Sequence, residues 1–144
     1  MKIIIKILQR KDVVITPHPK EFVALLKTTG TADITVNELQ NNRFAYTELF
    51  CKKYPNVTLL LKGANVIIGQ NDTFYINAYG TSALAKGGSG DVLSGLIGSL
   101  LAQGYAPLQA TINASLSHTK LVQNYQGADF SLTPEDLING IGNL

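Results

Sequence analysis

The stretch of this 144-residue sequence best suited to chemistry is Gly87-Gly88-Ser89-Gly90-Asp91, where three glycines and a serine lead into an apolar helical pattern. Glycine admits positive φ angles, so successive N–H groups in such a bend can aim at one point, and a helix start adds about half a positive charge in the same direction. That makes a cup for phosphate oxygens. A carboxylate cannot itself bind phosphate, but Asp91 beside the cup suits a general base facing a hydroxyl near a phosphoryl group. A plainer reading stays open at this point, with Asp91 as a helix cap and the glycines as a tight turn. The bend lacks the Gly-Lys-Ser/Thr ending of a Walker loop and the glycine spacing of a dinucleotide fingerprint after a strand, which indicates a different nucleotide fold.

Periodicity supplies the elements that must position this bend. Val13-Val14-Ile15 reads as a buried β-strand ended by Pro17, and a helix begins near Pro19 with Phe22, Leu25 and Leu26 on one face and Gly30 as its stop. Thr35-Val36-Asn37-Glu38 has the capping-box pattern, and Leu39, Tyr46, Leu49 and Phe50 continue at helical spacing, predicting one long amphipathic helix as far as Tyr54-Pro55. Residues 57–61, 65–68 and 73–77 are β-rich runs separated by turn-like residues, the last two predicting a hairpin. From Asp91 the set Val92, Leu93, Leu96, Ile97, Leu100 and Leu101 predicts a helix ending at Gln103-Gly104. Pro107 opens another toward Tyr125, and Thr133-Pro134-Glu135-Asp136 starts a last short one. Strands alternating with helices predict a layered α/β domain with a mostly parallel sheet and an inserted hairpin.

Composition narrows the function classes. With 45% apolar and 15% charged residues the chain reads as one globular domain. Cys51 is the only cysteine and there are two histidines, which excludes an intrachain disulfide and a multi-thiolate zinc site; a reducing cytosol is the expected home. No apolar run approaches the ~20 residues of a membrane span, and Lys6 interrupts the isoleucines at the start, against a secretory signal. Residues 1–62 hold ten Lys/Arg against five Asp/Glu, whereas residues 63–144 hold two against five. A basic half without interleaved aromatics suits a small phosphorylated ligand better than nucleic acid, although a solvated basic face would look the same.

Residues 77–95, together with Thr16-Pro17-His18-Pro19 and Leu61-Lys62-Gly63-Ala64, resemble the ADP- or ATP-dependent NAD(P)H-hydrate dehydratases, a branch of the ribokinase-like superfamily. The resemblance spans about residues 11–140, and the three motifs in this order and spacing are specific to that branch. It implies a layered α/β/α fold and a repair reaction: hydrated NADH or NADPH, as the S-epimer, is dehydrated at the expense of a nucleotide phosphoryl group, with Mg²⁺ accompanying ADP or ATP. It implies Asp91 as the catalytic base, His18 and Asp91 in contact with the hydrated dinucleotide, and Lys62, Gly63, Ala64, Asn65 and Val66 with Gly87, Gly88, Ser89 and Gly90 on the nucleotide side. No dedicated protein metal site is implied. An epimerase acting on the other hydrate is the implied functional partner.

The sequence departs from the family in two ways. Family members usually carry Gly-Glu after His-Pro, where this chain has Lys20 before Glu21. The family also has a longer portion ahead of the Thr-Pro-His segment, so the chain is expected to be a carboxyl-terminal portion lacking N-terminal strands. Its open sheet edge is then expected to pair with the missing half or another copy, and its activity alone to be weak. Two rival functions remain: a superfamily kinase for a vitamin precursor alcohol such as hydroxyethylthiazole, and a non-catalytic nucleotide-binding subunit.

Overall fold

A computed structural model describes residues 2–85 and 87–144; Met1, and Lys86 of the glycine-rich motif, lie outside the described residues. The chain forms two compact units that part between Ile76 and Asn77.

The first unit is built on a short sheet. Its elements are α1 (Lys2–Leu8), β1 (Val13–Ile15), α2 (Pro19–Thr28), α3 (Val36–Asn41), α4 (Arg43–Lys53), β2 (Val57–Leu61), β3 (Val66–Gln70) and β4 (Thr73–Asn77). The strand order is β1-β2-β3-β4. β1 and β2 pair in parallel with Val13 opposite Val57, and β2 and β3 pair antiparallel with Leu61 opposite Ile67, so the sheet is mixed. The hairpin from β3 to β4 turns at Asn71, whose φ of 52° is a left-handed conformation that asparagine tolerates. β2 is buried at all five positions, as its near-continuous Val-Thr-Leu-Leu-Leu run predicts for a central strand. Phe22 and Leu26 of α2, Leu39 of α3 and Phe50 of α4 join Val57, Leu59 and Leu61 in one apolar core, with the Phe22 and Phe50 rings edge to face at 5.7 Å.

Where a single helix is predicted between Thr35 and Tyr54, the structure has two. Asn42 leaves the helical region at φ −141° and separates α3 from α4. Asn41 and Asn42 are poor helix formers, and the helices serve different partners, α3 packing on α2 and α4 on β2 and β3.

The second unit comprises α5 (Ser89–Ala102), α6 (Pro107–Asn124) and α7 (Pro134–Gly140), with short 3₁₀ turns at Ser82–Ala85, Asp129–Ser131 and Ile141–Asn143. Val92, Leu121, Val122, Leu132 and Leu137 form its core. α7 opens as the sequence predicts, with Pro134 at its first position and a Thr133–Asp136 capping box. α5 begins at Ser89, two residues before the predicted start, so Gly90 is helical. Among the described residues no helix is long and apolar enough to cross a membrane.

Cys51 is fully buried in the first core, and burial pushes its thiol up to about 12 from an ordinary 9.0. The folded thiol therefore stays protonated where the unfolded one ionises. Its contribution to stability is constant below pH 9 and is lost as pH rises from 9 toward 12. Ellman's reagent at pH 8 is expected to leave native protein unlabelled and to react with one thiol per chain after denaturation.

Candidate active site

Parallel pairing puts the carboxyl ends of β1 and β2 at the same edge, and ligands of α/β sheets bind outside such ends. Two predicted segments emerge there. Thr16-Pro17-His18 follows β1, Lys62 follows β2, and the Lys62 N–H donates to the Pro17 carbonyl at 3.0 Å. His18 is the N-cap of α2: its Nδ1 accepts from the Glu21 N–H at 3.3 Å, while Glu21 Oε2 accepts from the His18 N–H at 2.8 Å. Nε2 stands 3.3 Å from Glu21 Oε1, an arrangement that suits a ring carrying its proton on Nε2. Glu21, the acidic residue kept beside the divergent Lys20, thus closes a capping box around an imidazole that remains half exposed.

The turn after β2 rests on a residue that sequence reasoning missed. Arg43, the first residue of α4, donates from Nη2 to the carbonyls of Lys62 at 2.9 Å and Leu61 at 3.3 Å. Its guanidinium lies under Gly63, where an added Cβ would fall 2.5 Å from Nη2. Burial lowers the Arg43 pKa, but from so high a value that the group stays charged at neutral pH. Its Nε is buried without a hydrogen-bond partner. The turn is therefore held from beneath, with Lys62 half buried, Gly63, Ala64 and Asn65 exposed, and Val66 opening β3. No local pattern announces Arg43, because its partners lie 18 and 19 residues away.

In the second unit the glycine bend opens α5. Gly88 is the N-cap, with φ 85° and no side chain to cap with, and an added Cβ there would lie 2.5 Å from Pro134 Cγ. Gly87 is exposed. The Gly88 carbonyl accepts the N–H groups of Asp91 at 3.1 Å and Val92 at 3.2 Å. An uncapped helix start directs its first amides, those of Ser89 and Gly90, outward along the axis. The Asp91 carboxylate is exposed in this first turn and does not serve as the cap. Ser89 is buried, its hydroxyl 3.0 Å from Nε2 of His118, so toward the bend it offers its amide and not its side chain. His118 is a second residue that the sequence did not single out.

Strands and helices alternate in an α/β protein, and its likeness to solved structures makes the fold ribokinase-like. A ribokinase-like superfamily protein of Enterococcus faecalis superposes on 91% of this chain with TM-score 0.73 at 23% identity, over 43% of its own length. The chain belongs to the NAD(P)H-hydrate dehydratase family, whose model matches residues 3–142. A bifunctional NAD(P)H-hydrate repair enzyme of Helicobacter pylori is 50% identical over 134 residues, 93% of this chain and 28% of that protein. The crystal structure of an ADP/ATP-dependent NAD(P)H-hydrate dehydratase from Bacillus subtilis, co-crystallised with ATP and Mg²⁺, superposes with TM-score 0.79 at 29% identity. It matches 95% of this chain and 50% of its own length, so the chain spans half or less of each of these relatives.

Two substitutions test the geometry. Gly88→Ala is expected to cost about 1–2 kcal/mol for the left-handed backbone and more for the overlap with Pro134, read as a lower urea midpoint at unchanged slope. Arg43→Met keeps the stem but strips the carbonyls of Leu61 and Lys62 of their donor, and is expected to cost about 1–3 kcal/mol in the same measurement.

Proposed function

We propose that this chain carries the nucleotide-dependent dehydration of the S-epimer of hydrated NADH or NADPH, returning NAD(P)H. The observation that carries this reading is the start of α5, where a left-handed Gly88 leaves the helix without a side-chain cap and the first turn presents the exposed Asp91 carboxylate. Membership of the dehydratase family and the names of the Helicobacter and Bacillus relatives support it.

ADP or ATP, when bound with Mg²⁺, supplies the phosphoryl group that converts a poor leaving group, hydroxide, into a good one, phosphate. The residues have separate tasks. The amides of Ser89 and Gly90, with Gly87 and Gly88 before them, hold the terminal phosphate, which fits an uncapped helix start. Asp91 accepts the proton of the ring hydroxyl. Lys62 provides positive charge near the nucleotide phosphates, and Gly63, Ala64, Asn65 and Val66 line that side. His18 contacts the hydrated dinucleotide. Mg²⁺ would arrive with the nucleotide phosphates. A functional link to an epimerase acting on the other hydrate belongs to this reading, and the bifunctional NAD(P)H-hydrate repair enzyme of Helicobacter pylori is in keeping with it. Assembly of the chain with further copies, and a cytoplasmic setting, complete the reading.

The test is recovery of NADH absorbance from its hydrate in the presence of ADP and Mg²⁺. Asp91→Asn is expected to slow recovery by about 10²–10⁴-fold, the usual worth of a general base; equal rates would remove Asp91 from the chemistry. A stable phosphorylated alcohol without turnover of the hydrate would identify a kinase instead, and ADP binding without either reaction a nucleotide-binding subunit.

A further inference from the structure

Helix α6 buries a polar stripe that the chemistry above does not use. Ser115, His118 and Thr119, spaced i, i+3 and i+4 on one face, are only 3%, 6% and 5% exposed. Such a face costs stability unless its groups are partnered. Its partners stand at the two ends of one segment. At the first end the Asn77 side chain, 2% exposed, donates from Nδ2 to the Ser115 carbonyl at 3.3 Å and to Ser115 Oγ and Thr119 Oγ1 at 3.0 Å each. Its Oδ1 accepts the Tyr79 N–H at 3.1 Å. At the other end Ser89 Oγ meets His118 Nε2 at 3.0 Å, also buried.

We propose that α6 is the template that holds Asn77 at one end and the start of α5 at the other, and that His118 is a positioning residue acting through Ser89 on the amides at the start of α5. Gly87 and Gly88 bring no side chains to order the bend and raise the entropy that ordering must overcome. Among the described residues nothing packs where a Cβ of Gly87 would stand, and a Cβ on Gly88 would meet Pro134. Ser89, the first helical residue, is therefore where a side chain ties the bend to the unit's interior, and holding its hydroxyl fixes which way the first turn of α5 faces. Donors set in place before a ligand arrives bind it without the cost of ordering them. The consequence for nucleotide affinity rests on the proposed function; the consequence for backbone order does not.

The test compares wild type with His118→Leu, His118→Gln and Ser89→Ala, using NMR-resolved amide exchange and calorimetric titration with ADP and Mg²⁺. The readout amides are those of Asp91 and Val92, which donate to the Gly88 carbonyl, with Leu121 and Val122 of α6 as internal controls. His118→Leu and Ser89→Ala are each expected to speed exchange at Asp91 and Val92 about tenfold, the worth of one buried hydrogen bond, and to leave the controls unchanged. His118→Gln, which can still reach Ser89, is expected to restore protection. ADP affinity is expected to fall about tenfold with His118→Leu and to recover with His118→Gln. Unchanged exchange at Asp91 and Val92 in Ser89→Ala would overturn the proposal, and that variant decides the matter if His118→Leu does not fold. If the exchange pattern holds while wild type binds no ADP, the template stands and the nucleotide reading falls. If wild type binds ADP and neither exchange nor affinity responds to Ser89→Ala, the template falls and the nucleotide reading stands.

Discussion

Gly88 turns through a φ of 85° with Pro134 packed where a Cβ would stand, and the rest of the second unit's functional surface depends on that turn. A larger residue would meet both a strained backbone and an occupied space. With glycine the chain reverses into α5 at Ser89, and its N-cap has no side chain to offer the first amides. The contrast lies within the same chain: α2, α3 and α7 each begin with a capping box, in which His18, Thr35 or Thr133 and an acidic residue three positions on satisfy the helix start. A capped helix is closed to ligands at that end. One that starts on glycine keeps its donors directed outward, with Asp91 one turn along and exposed.

In the first unit the same problem, holding a loop in place at the end of a strand, has a different solution. The turn after β2 carries an exposed Gly63 with a charged guanidinium where its side chain would stand. Arg43 reaches it from the start of α4 and satisfies two carbonyls, and the Lys62 amide ties the turn back to Pro17 beyond β1. Beneath these polar ties the core is apolar and aromatic, Phe22 against Phe50. Apolar packing holds the strands together, and directed hydrogen bonds place the segments that leave them.

The proposed dehydration, in which phosphate leaves in place of hydroxide, needs fixed donors for the phosphoryl group and a base for the hydroxyl proton. The chain contributes fixed backbone amides and an exposed carboxylate in one helical turn. Among its buried polar groups, Asn77 bonds to Ser115 and Thr119, and Ser89 to His118, inside the second unit.

The sequence by itself determined most of the elements from β1 onward and the location of the glycine bend, because those signals are local. Pro19, Pro107 and Pro134 open helices at their first positions, Thr35 and Thr133 carry capping boxes readable over four residues, and the apolar run of β2 needs no partner to be recognised. The family motifs were legible for the same reason, each being a short contiguous string. Tertiary structure alone decided what no window of sequence contains: the break at Asn42, where two helices take different packing partners, and the start of α5 at Ser89 instead of Asp91. It alone assigned Arg43 to carbonyls 18 and 19 residues away and His118 to a serine 29 residues away. A buried hydrogen bond between distant residues leaves no period and no motif; it exists only once the chain has brought both partners out of water, and that is a property of the fold.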